Sequence, residues 1–100
     1  MARTLLIKLV EDVGVFAENK DKARDIRNKL IIPALQKQKE VVLDFKKVEG
    51  TTQSFIHALI SELIRTYGVE VLDRIAFQNC NETVQKIIEI VVDYMQQSDD

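Results

Sequence analysis

The sequence predicts a small α/β domain: a mainly parallel sheet of three to four strands with three helices. Three observations carry this. Short apolar runs occupy residues 4–10, 41–45 and 75–78, and a polar turn follows each. The longer stretches between and after them bring apolar side chains back every three or four positions. Strand-like runs that alternate with helix-like stretches imply parallel strands joined by right-handed crossovers.

One hundred residues make one domain, taken as 1–100 with 96–100 as a fraying acidic tail. A chain of this length buries roughly 60–70% of its unfolded surface. With 46% hydrophobic and 30% charged residues the composition is that of a folded globular protein, not a disordered one. The net charge is −2, and bases and acids are interleaved, so no nucleic-acid partner is expected. No apolar run approaches the roughly 20 residues of a bilayer span. The opening segment resembles a signal peptide only until Lys8, Glu11 and Asp12 interrupt it. These features predict a cytoplasmic protein without membrane association. The single Cys80 cannot form an internal disulfide, which fits a reducing compartment.

Residues 4–10 read as the first strand. Gly14 allows a turn, and Val13, Val15 and Phe16 offer a short edge strand. Asn19 or Asp21 can cap the next helix, because a side-chain oxygen accepts from the free N–H groups of its first turn. Ala23, Ile26, Leu30 and Ala34 form its apolar face; Lys20, Asp21, Arg24, Asp25, Arg27 and Lys29 lie opposite. Pro33 lacks an N–H and clashes with the turn before it, so a kink is expected in a helix reaching about residue 37.

Val41 to Phe45 has the near-continuous apolar character of a strand buried on both faces. The turn after it carries Thr51, Thr52, Gln53 and Ser54. Phe55, Ile56, Leu59, Ile60, Leu63, Ile64 and Tyr67 then mark a long amphipathic helix ending at Gly68. Residues 69–72 are open between a turn and an extended approach. Residues 75–78 form the third strand. Asn79 and Asn81 both suit a cap, and Asn79 with Glu82 has capping-box spacing. Val84, Ile87, Ile88, Val91 and Met95 mark the core face of the last helix. In a parallel sheet, sites gather at the carboxyl ends of the strands, which places Asp12, Asp44 and Asn79 on one rim.

The run Val42-Leu43-Asp44-Phe45, then Val48, then Gln53-Ser54-Phe55 before an apolar helix, resembles the STAS-like family of unknown function. Ile75-Ala76-Phe77-Gln78-Asn79-Cys80-Asn81 followed by Val84 fits the same family. That family is similar to the STAS domains of anti-sigma-factor antagonists, small regulators that bind GHKL-type ATPase kinases. In those domains an Asp-Ser-Ser-Gly turn opens the second helix, and its first serine is phosphorylated. Alignment on the shared Asp and Val sets Thr52 on that Asp, Gln53 on the phosphorylated serine, Ser54 on the second serine and Phe55 on the glycine. Gln53 therefore replaces the acceptor, and Ser54 and Thr52 are the candidate phospho-acceptors.

The resemblance implies a non-enzymatic regulatory domain, partner-switching with a GHKL-type ATPase or histidine-kinase-like protein. Its contact residues would be Thr51, Thr52, Gln53, Ser54, His57 and Ser61. Ser54, His57, Ser61 and Arg65 form one polar ridge at steps of three, four and four. The alternative is a small-ligand or anion sensor at the same helix N-terminus, where free N–H groups and the dipole favour negative charge. A homodimer through the sheet or the first helix is a third option.

No catalytic residue, cofactor or metal site is expected. His57 has no cysteine or carboxylate at ligand spacing on its helix face, and reads as a solvated surface side chain. Asp44 reads as a carboxylate accepting loop N–H groups. Cys80, without a paired His and Asp, reads as packing. The chain has three glycines and no phosphate-binding glycine loop.

Overall fold

The computed structural model describes residues 3–97. In chain order the elements are β1 (Thr4–Lys8), α1 (Leu9–Val13), β2 (Phe16–Ala17) and α2 (Lys20–Ile26). A π-helical turn (Arg27–Ile31) carries α2 into α3 (Ile32–Gln36). Then come β3 (Glu40–Asp44), β4 (Gly50–Thr51), α4 (Gln53–Tyr67), a 3-10 turn (Val69–Arg74), β5 (Ile75–Gln78) and α5 (Glu82–Gln97). The strands form two parallel sheets, one in the order β1-β3-β5 and a two-stranded one of β2 and β4. The parallel α/β expectation therefore holds, with β2 and β4 split off as a separate pair.

The main sheet is buried on one face only. Its register aligns Leu5, Val41 and Ile75, then Ile7, Leu43 and Phe77. These side chains are buried or half-buried, and with Phe45 they meet Phe55, Ile56, Leu59, Ile60 and Leu63 of α4 in one apolar cluster. The other face carries Leu6, Val42 and Ala76 in register, flanked by Lys8, Asp44 and Gln78. Leu6 is 52% exposed. Burial of β3 on both faces is thus corrected: Val42 and Asp44 are half-buried, on the face that carries the exposed Leu6. The three central residues of β3, Val41 to Leu43, are all apolar although only Val41 and Leu43 reach the core.

β1 is also shorter than its apolar run. Leu9 and Val10 belong to α1, where Leu9 is fully buried, so core burial explains their hydrophobicity without strand pairing.

Asn19 caps α2, its side-chain oxygen accepting from the N–H groups of Asp21 (2.9 Å) and Lys22 (3.1 Å). Pro33 is accommodated by the π-helical turn ahead of it. Ile32 donates its N–H five residues back to Arg27, and the wider turn relieves the clash between the proline ring and the carbonyl four residues earlier. The helix runs on to Gln36 and closes with Gln38 at φ 66°. Gln38 N–H donates to Leu35 O (3.1 Å) and Lys39 N–H to Ala34 O (2.9 Å), the paired closure of a Schellman end. Arg74 reaches the same place, donating to Leu35 O (3.0 Å) and Lys39 O (3.1 Å). It ties the segment before β5 to the entrance of β3.

α4 is the central helix. It packs against α2 on one side and α5 on the other, which explains why most of its circumference is buried. Gly68 ends it at φ 85°, with its N–H on Ile64 O at 2.8 Å. The segment left open by the sequence is the 3-10 turn. α5 buries Val84, Ile88, Val91 and Met95, with Ile87 at the margin.

Candidate partner-binding groove

β2 and β4 contribute only two residues each, yet they set the site. Phe16 pairs with Gly50 and Ala17 with Thr51, and a cap and a helix follow at once on both chains. Asn19 opens α2 and Thr52 opens α4. Because the strands are parallel, the two helices start side by side and run in the same direction. Thr52 Oγ1 accepts from Phe55 N–H at 3.1 Å. Thr51 is buried, and its hydroxyl donates to Ala17 O at 2.8 Å.

The predicted contact residues therefore divide. Thr51 is removed from the contact surface: 7% exposed, its hydroxyl serves the β2–β4 pair. Thr52 is half-buried and occupied as the cap. Gln53 and Ser54 are exposed at the helix start, and His57 is half-exposed one turn further.

Between α2 and α4 lies an open groove of about 420 Å³. From α4 it is lined by Ser54, His57, Ala58, Ser61, Glu62 and Arg65, and opposite by Lys20 and Arg24 of α2 and Arg27 of the π-helical turn. The polar ridge read from the sequence thus forms one wall. The opposite wall consists of cations that the sequence placed on a solvated helix back. Arg27 donates to Ala58 O at 2.9 Å and to Asn28 Oδ1 at 3.1 Å, so its guanidinium is fixed by uncharged acceptors. Among the described residues the ion pairs are Arg24–Asp21 (3.0 Å) and Arg65–Glu62 (3.4 Å). Both are exposed i,i+3 pairs of the kind that contributes little. Ser61 is 4% exposed. Its side chain lines the groove, and its oxygen is not sealed away from solvent.

A broader trough of about 970 Å³ runs between the far ends of α4 and α5, lined by Ile64, Val69, Tyr94 and neighbouring residues. It shares His57 and Arg65 with the groove and brings Tyr94 and Gln96 in place of the α2 cations.

The strand-end residues take structural roles. Asp44 Oδ1 accepts from Lys46 N–H (2.9 Å) and Asn79 Nδ2 (2.8 Å). The Asn79 amide, then the Lys46 N–H, hold its carboxyl below the ordinary value of 3.8. Asn79, at φ 59°, is thereby committed to Asp44, and Asn81 caps α5 instead. Val84 N–H donates to Asn81 Oδ1 at 2.8 Å, while Asn81 Nδ2 donates to Glu49 O at 2.9 Å. The capping-box pairing of Asn79 with Glu82 is corrected accordingly. Burial, and secondarily the Asp44 carboxylate, push the Cys80 thiol above its usual 9.0. Asp12 lies in α1 and lines a surface pocket with Lys22, Asp25 and Lys29. Among the described residues no group of three or more His, Cys, Asp or Glu side chains could hold a metal ion. No helix there is long and apolar enough to cross a membrane.

The core order of strands and helices, with a helix opening directly after the hydroxyl turn, defines a STAS-like α/β domain. Residues 22–85 match the family described as STAS-like domain of unknown function (DUF4325), and the chain belongs to that family. The match takes in the whole groove except Lys20. No curated protein and no solved structure matches the chain.

Proposed function

We propose that the chain is a non-enzymatic, cytoplasmic regulatory domain that docks a protein partner through the face beginning at Thr52 to Ser54 and continuing along α4. The resemblance to anti-sigma-factor antagonists supports a GHKL-type ATPase or histidine-kinase-like protein as that partner. One observation carries the reading: Ser54, His57, Ser61 and Arg65 line a single open groove and are not dispersed over a featureless helix back.

The surface also suits switching. A phosphate on the exposed Ser54 would add about −1.5 to −2 charge at neutral pH. The fold would tolerate it, since helix N-termini favour anions. A partner pressed on α4 would meet a desolvated charge and bind less well. The cationic wall keeps the second reading in play, a small-anion sensor at the same place.

The test is titration calorimetry of the purified chain against a purified GHKL-type ATPase from the same source. Ser54→Glu and His57→Glu should abolish binding and leave the circular dichroism unchanged. Full affinity in both variants would defeat the docking reading. A rise in melting temperature with phosphate or sulfate alone, lost in the same variants, would favour the sensor.

A further inference from the structure

The groove has a chemical preference beyond its location, and this inference rests on the docking reading above. Lys20 and Arg24 from α2, Arg27 from the π-helical turn and Arg65 from α4 bring four cationic side chains to it, in a chain whose net charge is −2. Asp21 and Glu62 engage Arg24 and Arg65 through exposed pairs that an incoming carboxylate can exchange. Lys20 and Arg27 have no carboxylate partner among the described residues. Ser61 lines the groove part-way along.

These donors do not converge on a point. From Ser54 to Arg65 they extend along roughly 16 Å of α4 at 1.5 Å per residue, and the groove is open along this length. A compact anion reaches two or three of them at most. An extended chain with carboxylates spaced along it reaches them all. Planar guanidinium groups match carboxylates in bidentate fashion. Nucleic-acid binding draws on a broad basic surface, whereas these four cations line a single groove. We infer that the α2–α4 groove binds an extended acidic segment of the partner protein, its carboxylates seated between Lys20, Arg24 and Arg27 on one wall and Ser54, Ser61 and Arg65 on the other.

The experiment titrates the full chain with fluorescein-labelled decaglutamate, read by anisotropy, and with the unlabelled peptide, read by amide chemical shifts. Shifts should concentrate on α2 and on residues 54–65. Lys20→Glu/Arg24→Glu should weaken binding at least tenfold at low salt with unchanged circular dichroism. Ser54→Glu, which supplies the groove with its own carboxylate, should do the same. Raising the salt should weaken the wild-type complex. Inorganic phosphate or an oligothymidylate of matched charge displacing the peptide as readily as unlabelled decaglutamate would overturn the assignment. So would peptide shifts lying elsewhere, or undiminished affinity in the double variant. The ATPase complex separates the two levels of the claim. If it survives Lys20→Glu/Arg24→Glu but is lost with the bulky Ser54→Trp, the acidic segment is refuted and docking stands. Survival in both variants refutes both.

Discussion

Thr51→Val isolates the small β2–β4 pair that orients the groove. Valine matches threonine in shape, so the substitution removes one hydroxyl and leaves no appreciable cavity. The hydrogen bond lost is Thr51 Oγ1 to Ala17 O at 2.8 Å, in a residue 7% exposed. Ala17 O still accepts from Thr52 N–H at 3.2 Å, so the carbonyl is not orphaned. The cost is then the net value of one hydrogen bond, about 1 kcal/mol, and not the roughly 1–3 kcal/mol of an unsatisfied buried group. For a domain of this size that lowers the melting temperature by about 4–8 °C. With a urea slope of about 1–3 kcal/mol/M the midpoint falls by roughly 0.3–1 M. Thermal and urea unfolding followed by circular dichroism measure both. Because the hydroxyl is internal, affinity for a partner measured well below the melting point should be unchanged. An unaltered midpoint would show that the hydroxyl contributes nothing to the pair. Normal stability with lost binding would restore Thr51 to the contact surface and refute its structural assignment.

Gly50→Ala should test the same pair from its other side. An added Cβ would lie 2.7 Å from Phe16 Cε1 and 2.9 Å from Cδ1, but the half-exposed ring can swing outward, so a loss of about 1 kcal/mol is expected, at the low end for overpacking. In a Phe16→Ala background the cost should shrink, and equal losses in both backgrounds, by urea unfolding, would exclude the clash. Asp44→Ala addresses the strand-end clasp through its pH dependence. The folded carboxyl titrates below its ordinary 3.8, so its contribution is complete above about pH 4 and fades as acid protonates it in the folded state. The gap in urea midpoint between wild type and Asp44→Ala should be constant from neutrality to about pH 5 and narrow in stronger acid; a gap that widens on acidification would reverse the sign.

What could be read from the chain alone follows from how local each determinant is. Asn19, Gly68 and the 75–78 strand act within a few residues of themselves, and each appears where its neighbours imply. The choice between Asn79 and Asn81 as the α5 cap depends on Asp44, 35 residues away from Asn79, and no capping rule contains it. Pro33 signals a distortion, but whether the helix breaks or widens depends on the packing that rewards continuing to Ala34 and Leu35, both buried. Val42 shows why hydrophobicity overstated burial: a strand can be apolar on a face that is only half-buried. Half of the groove was visible as the α4 ridge. The other half, at Lys20, Arg24 and Arg27, has matching steps of four and three on α2, yet only the Phe16–Gly50 and Ala17–Thr51 ladder brings the two rows together.

That ladder is short enough to make the spacing of its neighbours unforgiving. A single residue inserted between Ala17 and Asn19 would rotate α2 by about 100° at 3.6 residues per turn if the buried side chains did not hold it back. The three cations would then point away from α4. Ala23 and Ile26 would be pulled out of the interior by the same rotation. Length variation in this domain is accordingly ruled out at the two junctions where a strand of two residues leads into a helix.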